Sequence, residues 1–130
     1  LQSIMDNLVI ASTKKTPGIT FISNGNLSIK GSSFAEDAIS FYQPALHWIE
    51  EFAKTSPKEI SLTVELEYIN TSSTTIVLKI LKKLKEKSEG NYKLNLVWKY
   101  DPDDEDSFEL GDMIQKIIKH PVLMVSVKKD

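Results

Sequence analysis

Glu67-Tyr68-Ile69-Asn70-Thr71-Ser72-Ser73-Thr74-Thr75 is the stretch on which the reading of this chain turns. Ahead of it, residues 61–68 alternate with period 2. Leu62, Val64, Leu66 and Tyr68 fall on one side, and Ser61, Thr63, Glu65 and Glu67 on the other, as in a half-buried strand. Behind it, Ile76, Val77, Ile80, Leu81 and Leu84 recur at helical spacing. A strand therefore hands over to a helix. One Asn and five successive hydroxyls sit at that handover, at the positive end of the helix.

Toward the N-terminus, Ser56-Pro57-Lys58 closes a first helix predicted over residues 36–54, with Ala38, Ile39, Tyr42, Leu46, Ile49 and Phe52 on its apolar face. His47 and Trp48 flank that face. Pro44 predicts a kink, or a break into two helices after Gln43, because proline lacks an N–H and restricts its predecessor. Three short strands precede this helix, over residues 8–11, 19–22 and 27–30. Asn24-Gly25 predicts a type I′ hairpin between the second and third. Gly31-Ser32-Ser33 reads as the end of the third strand.

Toward the C-terminus, Lys79, Lys82, Lys83, Lys85 and Lys87 line the outside of the second helix, and Gly90 is its predicted cap. Residues 93–100 alternate again, with Leu94, Leu96, Trp98 and Tyr100 on one side. An acidic loop, 101–106, leads to a third helix over 108–119, with Leu110, Met113, Ile114, Ile117 and Ile118 on its stripe. His120-Pro121 stops it, and residues 122–127 form the last strand. Strands separated by helices call for parallel pairing. The middle strands carry one polar face, unlike a sheet covered on both sides. The expectation is a two-layer α/β domain: a mixed sheet with an N-terminal antiparallel hairpin and helices mainly on one face. At 130 residues the chain reads as one domain, residues 5–130, with Met5 as its natural start and residues 1–4 foreign to it.

Composition narrows the function. The net charge is −2 and all 16 basic residues are Lys. Without the arginine fork, a nucleic-acid reader or a phosphopeptide reader is disfavoured. With no cysteine there is no disulfide, thiolate nucleophile or cysteine-based zinc site. No apolar run approaches the roughly 18 residues of a membrane span, and the N-terminus does not follow a signal-peptide pattern, so a cytoplasmic protein without membrane insertion is expected.

The hydroxyls admit two readings. Asn70, Thr71, Ser72 or Ser73 could cap the helix. Yet five hydroxyls exceed what a cap needs, and anion binding or phosphorylation would use them. Glycine-rich and Walker spacings are absent, which removes a P-loop. In the acidic loop, seven carboxylates fall between Asp101 and Asp112. They read as a solvated loop, a docking patch that includes Asp103 and Asp104, or a Mg²⁺ or Ca²⁺ site. The EF-hand pattern fails, and no metal or cofactor is expected. His47 and His120 have no nucleophile elbow to serve, so the chain is not read as an enzyme.

Four segments carry a family resemblance: Lys15-Thr16-Pro17, Phe41-Tyr42-Gln43-Pro44, residues 66–73 with Tyr68-Ile69-Asn70-Thr71-Ser72-Ser73 most specific, and Trp98-Lys99-Tyr100-Asp101 with the acidic loop. The chain resembles the SiaC-type regulatory phosphoproteins over nearly all of residues 5–127. The resemblance implies a STAS-like fold, similar to anti-sigma-factor antagonists such as SpoIIAA. It implies a partner switch: a SiaB-type kinase phosphorylates Thr71, a SiaA-type PP2C phosphatase reverses this, and the unmodified protein activates a SiaD-type diguanylate cyclase. Cyclic-di-GMP signalling and biofilm formation or aggregation would follow. Tyr68, Asn70, Thr71, Ser72, Ser73, Asp103 and Asp104 would meet the partner. The alternative is an anti-sigma-factor-antagonist switch with a different partner.

Overall fold

The structure, a computed structural model, describes residues 5–128. The expectation for residues 1–4 lies outside them. The elements run β1 (Leu8–Ile10), β2 (Gly18–Phe21), β3 (Asn26–Ser33), α1 (Ala38–Ala53), β4 (Glu59–Ile69), α2 (Thr71–Ser88), β5 (Lys93–Tyr100), α3 (Glu105–Ile118) and β6 (Leu123–Ser126). Among the described residues, six strands form one sheet in chain order. β1, β2 and β3 pair antiparallel, and β3, β4, β5 and β6 pair parallel. This is the mixed α/β fold expected.

The sequential order decides where the helices go. Each parallel crossover steps one strand in the same direction. Right-handed crossovers then place every connecting helix on the same face. Under those helices lie Ile19, Phe21, Ile29, Ile60, Leu62, Val64, Leu94, Leu96 and Trp98, all buried. On the other face, one registered row crosses all the strands: Val9, Thr20, Ser28, Thr63, Val97 and Leu123. Beside it Lys30, Glu65 and Lys99 are in register.

Several local expectations are corrected. α1 runs through Pro44 as one helix, 38–53. Only the hydrogen bond that the Pro44 nitrogen would donate is lost, and burial on both sides of it holds the helix. Ile39 is 64% exposed, whereas Trp48 is core. Trp48 stacks on Phe52 at 4.6 Å and its indole N–H donates to the Asp6 carbonyl at 2.8 Å. β3 does not stop at Gly31. It continues to Ser33 across a register shift between Gly31 and Ser32.

The hairpin before it exists without a type I′ turn. Gly25 N–H closes a turn on the Ile22 carbonyl at 2.9 Å, and Gly25 alone takes positive φ, at +99°. A Cβ there would meet the Glu59 carbonyl oxygen at 2.4 Å. α3 starts at Glu105 rather than 108, and its Met113 and Ile117 are 46% and 43% exposed. As an outer helix it buries only the narrow stripe of Gly111, Ile114 and Ile118. β6 is shorter than expected, 123–126.

Candidate functional site

The hydroxyl stretch is not a loop. α2 begins at Thr71, so all five hydroxyls lie within its first turns. Asn70 is the cap. Its Oδ1 accepts from Ser73 N–H at 2.9 Å, and its amide donates to the Ala35 carbonyl at 3.3 Å. Asn70 N–H donates to the Ser33 carbonyl at 2.9 Å. One side chain thus satisfies an orphan helix donor and fixes the β3–α1 junction.

With the cap assigned to Asn70, the hydroxyls separate by environment. Ser73 is fully buried and its Oγ has no hydrogen-bond partner among the described residues. Thr74 Oγ1 donates back to the Asn70 carbonyl at 3.0 Å, and Thr75 Oγ1 to the Thr71 carbonyl at 3.3 Å. Such back-bonding is the usual fate of a hydroxyl inside a helix. Ser72 is exposed and reaches Asn70 Oδ1 at 3.4 Å, a long contact. Thr71 is exposed, and its hydroxyl makes no hydrogen bond with the described residues. It stands at the first helical position, where added negative charge meets the favourable end of the dipole.

Tyr68 leaves the core face on which its period placed it. It is 48% exposed and lies flat on Phe34, itself 38% exposed, with ring centroids 4.0 Å apart and planes 9° apart. The register shift between Gly31 and Ser32 pairs Ser33 with Ile69 and Ser32 with Tyr68, so Ser33 and Ile69 keep the core side and Tyr68 turns away from it, where the two rings cover each other. Just below, Ser33 Oγ and Tyr42 OH are hydrogen-bonded at 2.7 Å in the interior. Burial pushes the Tyr42 phenol up, and the bond to Ser33 opposes this in part.

The acidic segment also changes character. Asp104 caps α3, its Oδ1 accepting from Ser107 N–H at 3.0 Å, and Glu105 and Asp106 fill the first turn. Asp101 Oδ1 accepts from Asp103 N–H at 2.8 Å. Most of the expected loop is therefore a turn and a helix start that the dipole favours. Asp101, Asp103 and Asp104 join Glu65, Glu67, Lys99 and Tyr100 around a cleft of about 220 Å³. None of the hydroxyls lines this cleft. Among the described residues, no three acidic or histidine side chains converge to hold a metal ion. His47 is exposed, and His120 Nδ1 lies 2.8 Å from the Pro121 carbonyl oxygen.

Residues 10–127 match the SiaC family regulatory phosphoproteins. The chain belongs to the SiaC family. An uncharacterised Pseudomonas aeruginosa protein is 30% identical over 118 residues, covering 90% of this chain and 94% of that one. Apo-SiaC from Pseudomonas aeruginosa superposes with a TM-score of 0.87 at 28% identity, over 94% of this chain and 100% of that one. SiaC in the crystal structure of the diguanylate cyclase SiaD with its activator SiaC gives 0.86 at 29%, over 92% and 99%.

In this SiaC-family chain, the structure brings Tyr68, Asn70, Thr71, Ser72 and Ser73 together at the β4–α2 junction. Asp103 and Asp104 share that sheet edge but belong to the adjoining cleft. Sequence reasoning missed Phe34. Its signal was a lone aromatic, Phe34, between the Gly31-Ser32-Ser33 strand end and the helix start at Glu36, a position to which the sequence reading assigned no role.

Proposed function

We propose that this protein is a non-enzymatic switch whose unphosphorylated form binds and activates a diguanylate cyclase, and that phosphorylation of Thr71 blocks this. The observation that carries the reading is the exposed Thr71 hydroxyl at the head of α2, without a hydrogen bond among the described residues, where Ser73 is buried, Thr74 and Thr75 bond back to the helix and Ser72 makes one long contact to Asn70. The likeness to SiaC, the activator of SiaD, supports the choice of effector. A SiaB-type kinase would join the γ-phosphorus of a nucleoside triphosphate to Thr71 Oγ1. The bond from that phosphorus to the diphosphate breaks, and the hydroxyl proton leaves. A SiaA-type PP2C phosphatase returns the phosphoryl group to water. The signalling role would be cytoplasmic, through cyclic-di-GMP, toward biofilm formation or aggregation.

The physical switch is local. Asn70 already caps α2, so a phosphate on Thr71 adds bulk and charge without needing the helix to unwind. A partner surface shaped for Tyr68, Thr71 and Ser72 loses fit and has to desolvate a dianion. The test combines kinase treatment, mass spectrometry and binding calorimetry against the cyclase. Thr71→Ala should escape modification and keep binding. The phosphorylated wild type should bind at least about tenfold more weakly, or 1.4 kcal/mol. Equal phosphate incorporation into Thr71→Ala overturns the assignment.

A further inference from the structure

A second loop reaches the same sheet edge. Residues 13–16, between β1 and β2, form a tight turn locked on Thr13. Its Oγ1 accepts from Lys15 N–H at 3.1 Å and from Thr16 N–H at 3.0 Å, and pairs with Thr16 Oγ1 at 2.7 Å. Thr13 N–H donates to the Thr16 carbonyl at 2.9 Å. The turn is clamped to the switch region by one short bond: the Lys15 carbonyl accepts from Phe34 N–H at 2.7 Å. Phe34 stacks on Tyr68, and its neighbours Ser33 and Ala35 hold Asn70. Lys14 and Lys15 are exposed on this turn and make no ion pair with the described residues.

The edge is therefore divided. Along one edge of the sheet the lysine turn precedes β2, Thr71 follows β4 and the carboxylates of the Asp101 cleft follow β5, while Glu67 borders both sides. We propose that the Lys14–Lys15 turn is the internal counter-charge for phosphorylated Thr71. The inference rests on Thr71 as the modified hydroxyl. A lysine carries its charge on a flexible four-carbon stem and pairs with phosphate as a point charge. The turn, bonded through the Lys15 carbonyl to Phe34, fixes where both stems start on that edge. Modification then does two things at once: it adds the phosphate and withdraws two cations from the surface offered to the partner.

The test uses the full chain with phosphothreonine installed at position 71 by genetic code expansion, so no kinase is needed. Phosphorus NMR follows the second phosphate ionisation. The neighbouring carboxylates Glu36, Asp37 and Glu67 would raise its midpoint, and the lysines would lower it. The midpoint in the wild type should lie about one unit below that of the Lys14→Ala/Lys15→Ala variant. Lys14→Arg/Lys15→Arg should restore it. In the wild type, added salt should raise the midpoint relative to a phosphothreonine peptide in the same salt, because screening weakens the attraction. Identical midpoints in wild type and double alanine variant overturn the proposal and leave the phosphoacceptor assignment standing. Kinase modification at another hydroxyl overturns the assignment instead.

Discussion

Asn70 Oδ1 holds the backbone N–H of Ser73 at 2.9 Å, and that contact ties the end of the central strand to the start of the helix bearing the switch. The same side chain reaches the Ala35 carbonyl, so two connections share one residue. Asn70→Ala should lower stability by about 1–2 kcal/mol, the upper part of the range for a lost cap. Urea denaturation measures this. An unchanged midpoint would mean that water caps the helix as well as Asn70 does.

Ser73 is the opposite case. Its Oγ is buried without a partner among the described residues, so it contributes desolvation cost and no hydrogen bond to them. Ser73→Ala should leave stability equal or raise it by up to about 1 kcal/mol, because it removes an unsatisfied polar group from a core position. A clear loss in thermal unfolding would show that the hydroxyl is satisfied in solution.

Gly111 lies where α3 crosses the sheet. A Cβ there would sit 2.6 Å from Met124 Cε and 2.7 Å from Trp98 Cδ1. Methionine can move, but the Trp98 ring is anchored by its N–H to the Ser107 carbonyl at 3.0 Å. Gly111→Ala should therefore destabilise by about 1–3 kcal/mol through overpacking, despite the better helix propensity of alanine. A stabilised variant in chemical denaturation would contradict the close packing of α3 on Trp98.

Tyr92 should govern the alkaline limit. Burial pushes its phenol up to about 12, and its OH donates to the Leu84 carbonyl at 2.6 Å. The unfolded phenol ionises near pH 10, so between those values the folded state binds more protons than the unfolded one. Stability is full below about pH 10 and falls as pH rises toward 12. Tyr92→Phe should flatten this fall while costing about 1 kcal/mol at neutral pH for the lost hydrogen bond. An identical alkaline slope in both proteins would assign the fall to other groups, with the buried Tyr42 the first to consider.

Much of the architecture was legible in the chain itself. Period 2 over residues 61–68 and period 3.6 from Ile76 located β4 and α2, because alternation and helical spacing follow directly from backbone geometry. The alternation of strands and helices implied parallel pairing, and the polar side of β4 implied an open face. Boundaries were less legible. Asn70 and Asp104 both start helices earlier than apolar spacing alone suggests, since a helix's first turn can be entirely polar.

What the sequence alone determined was that a hydroxyl-rich helix start follows a central strand. Which hydroxyl stands free was decided only by the tertiary structure. Thr71, Ser73 and Thr75 are chemically close, and one-dimensional spacing cannot separate them. The buried position of Ser73, the back-bonding of Thr74 and Thr75, and the Asn70 bridge to Ala35 do so. Phe34 and Lys15 reach the site from the β3–α1 and β1–β2 connections. Side-chain environment at a sheet edge depends on segments distant in the chain, and local periodicity carries no record of them.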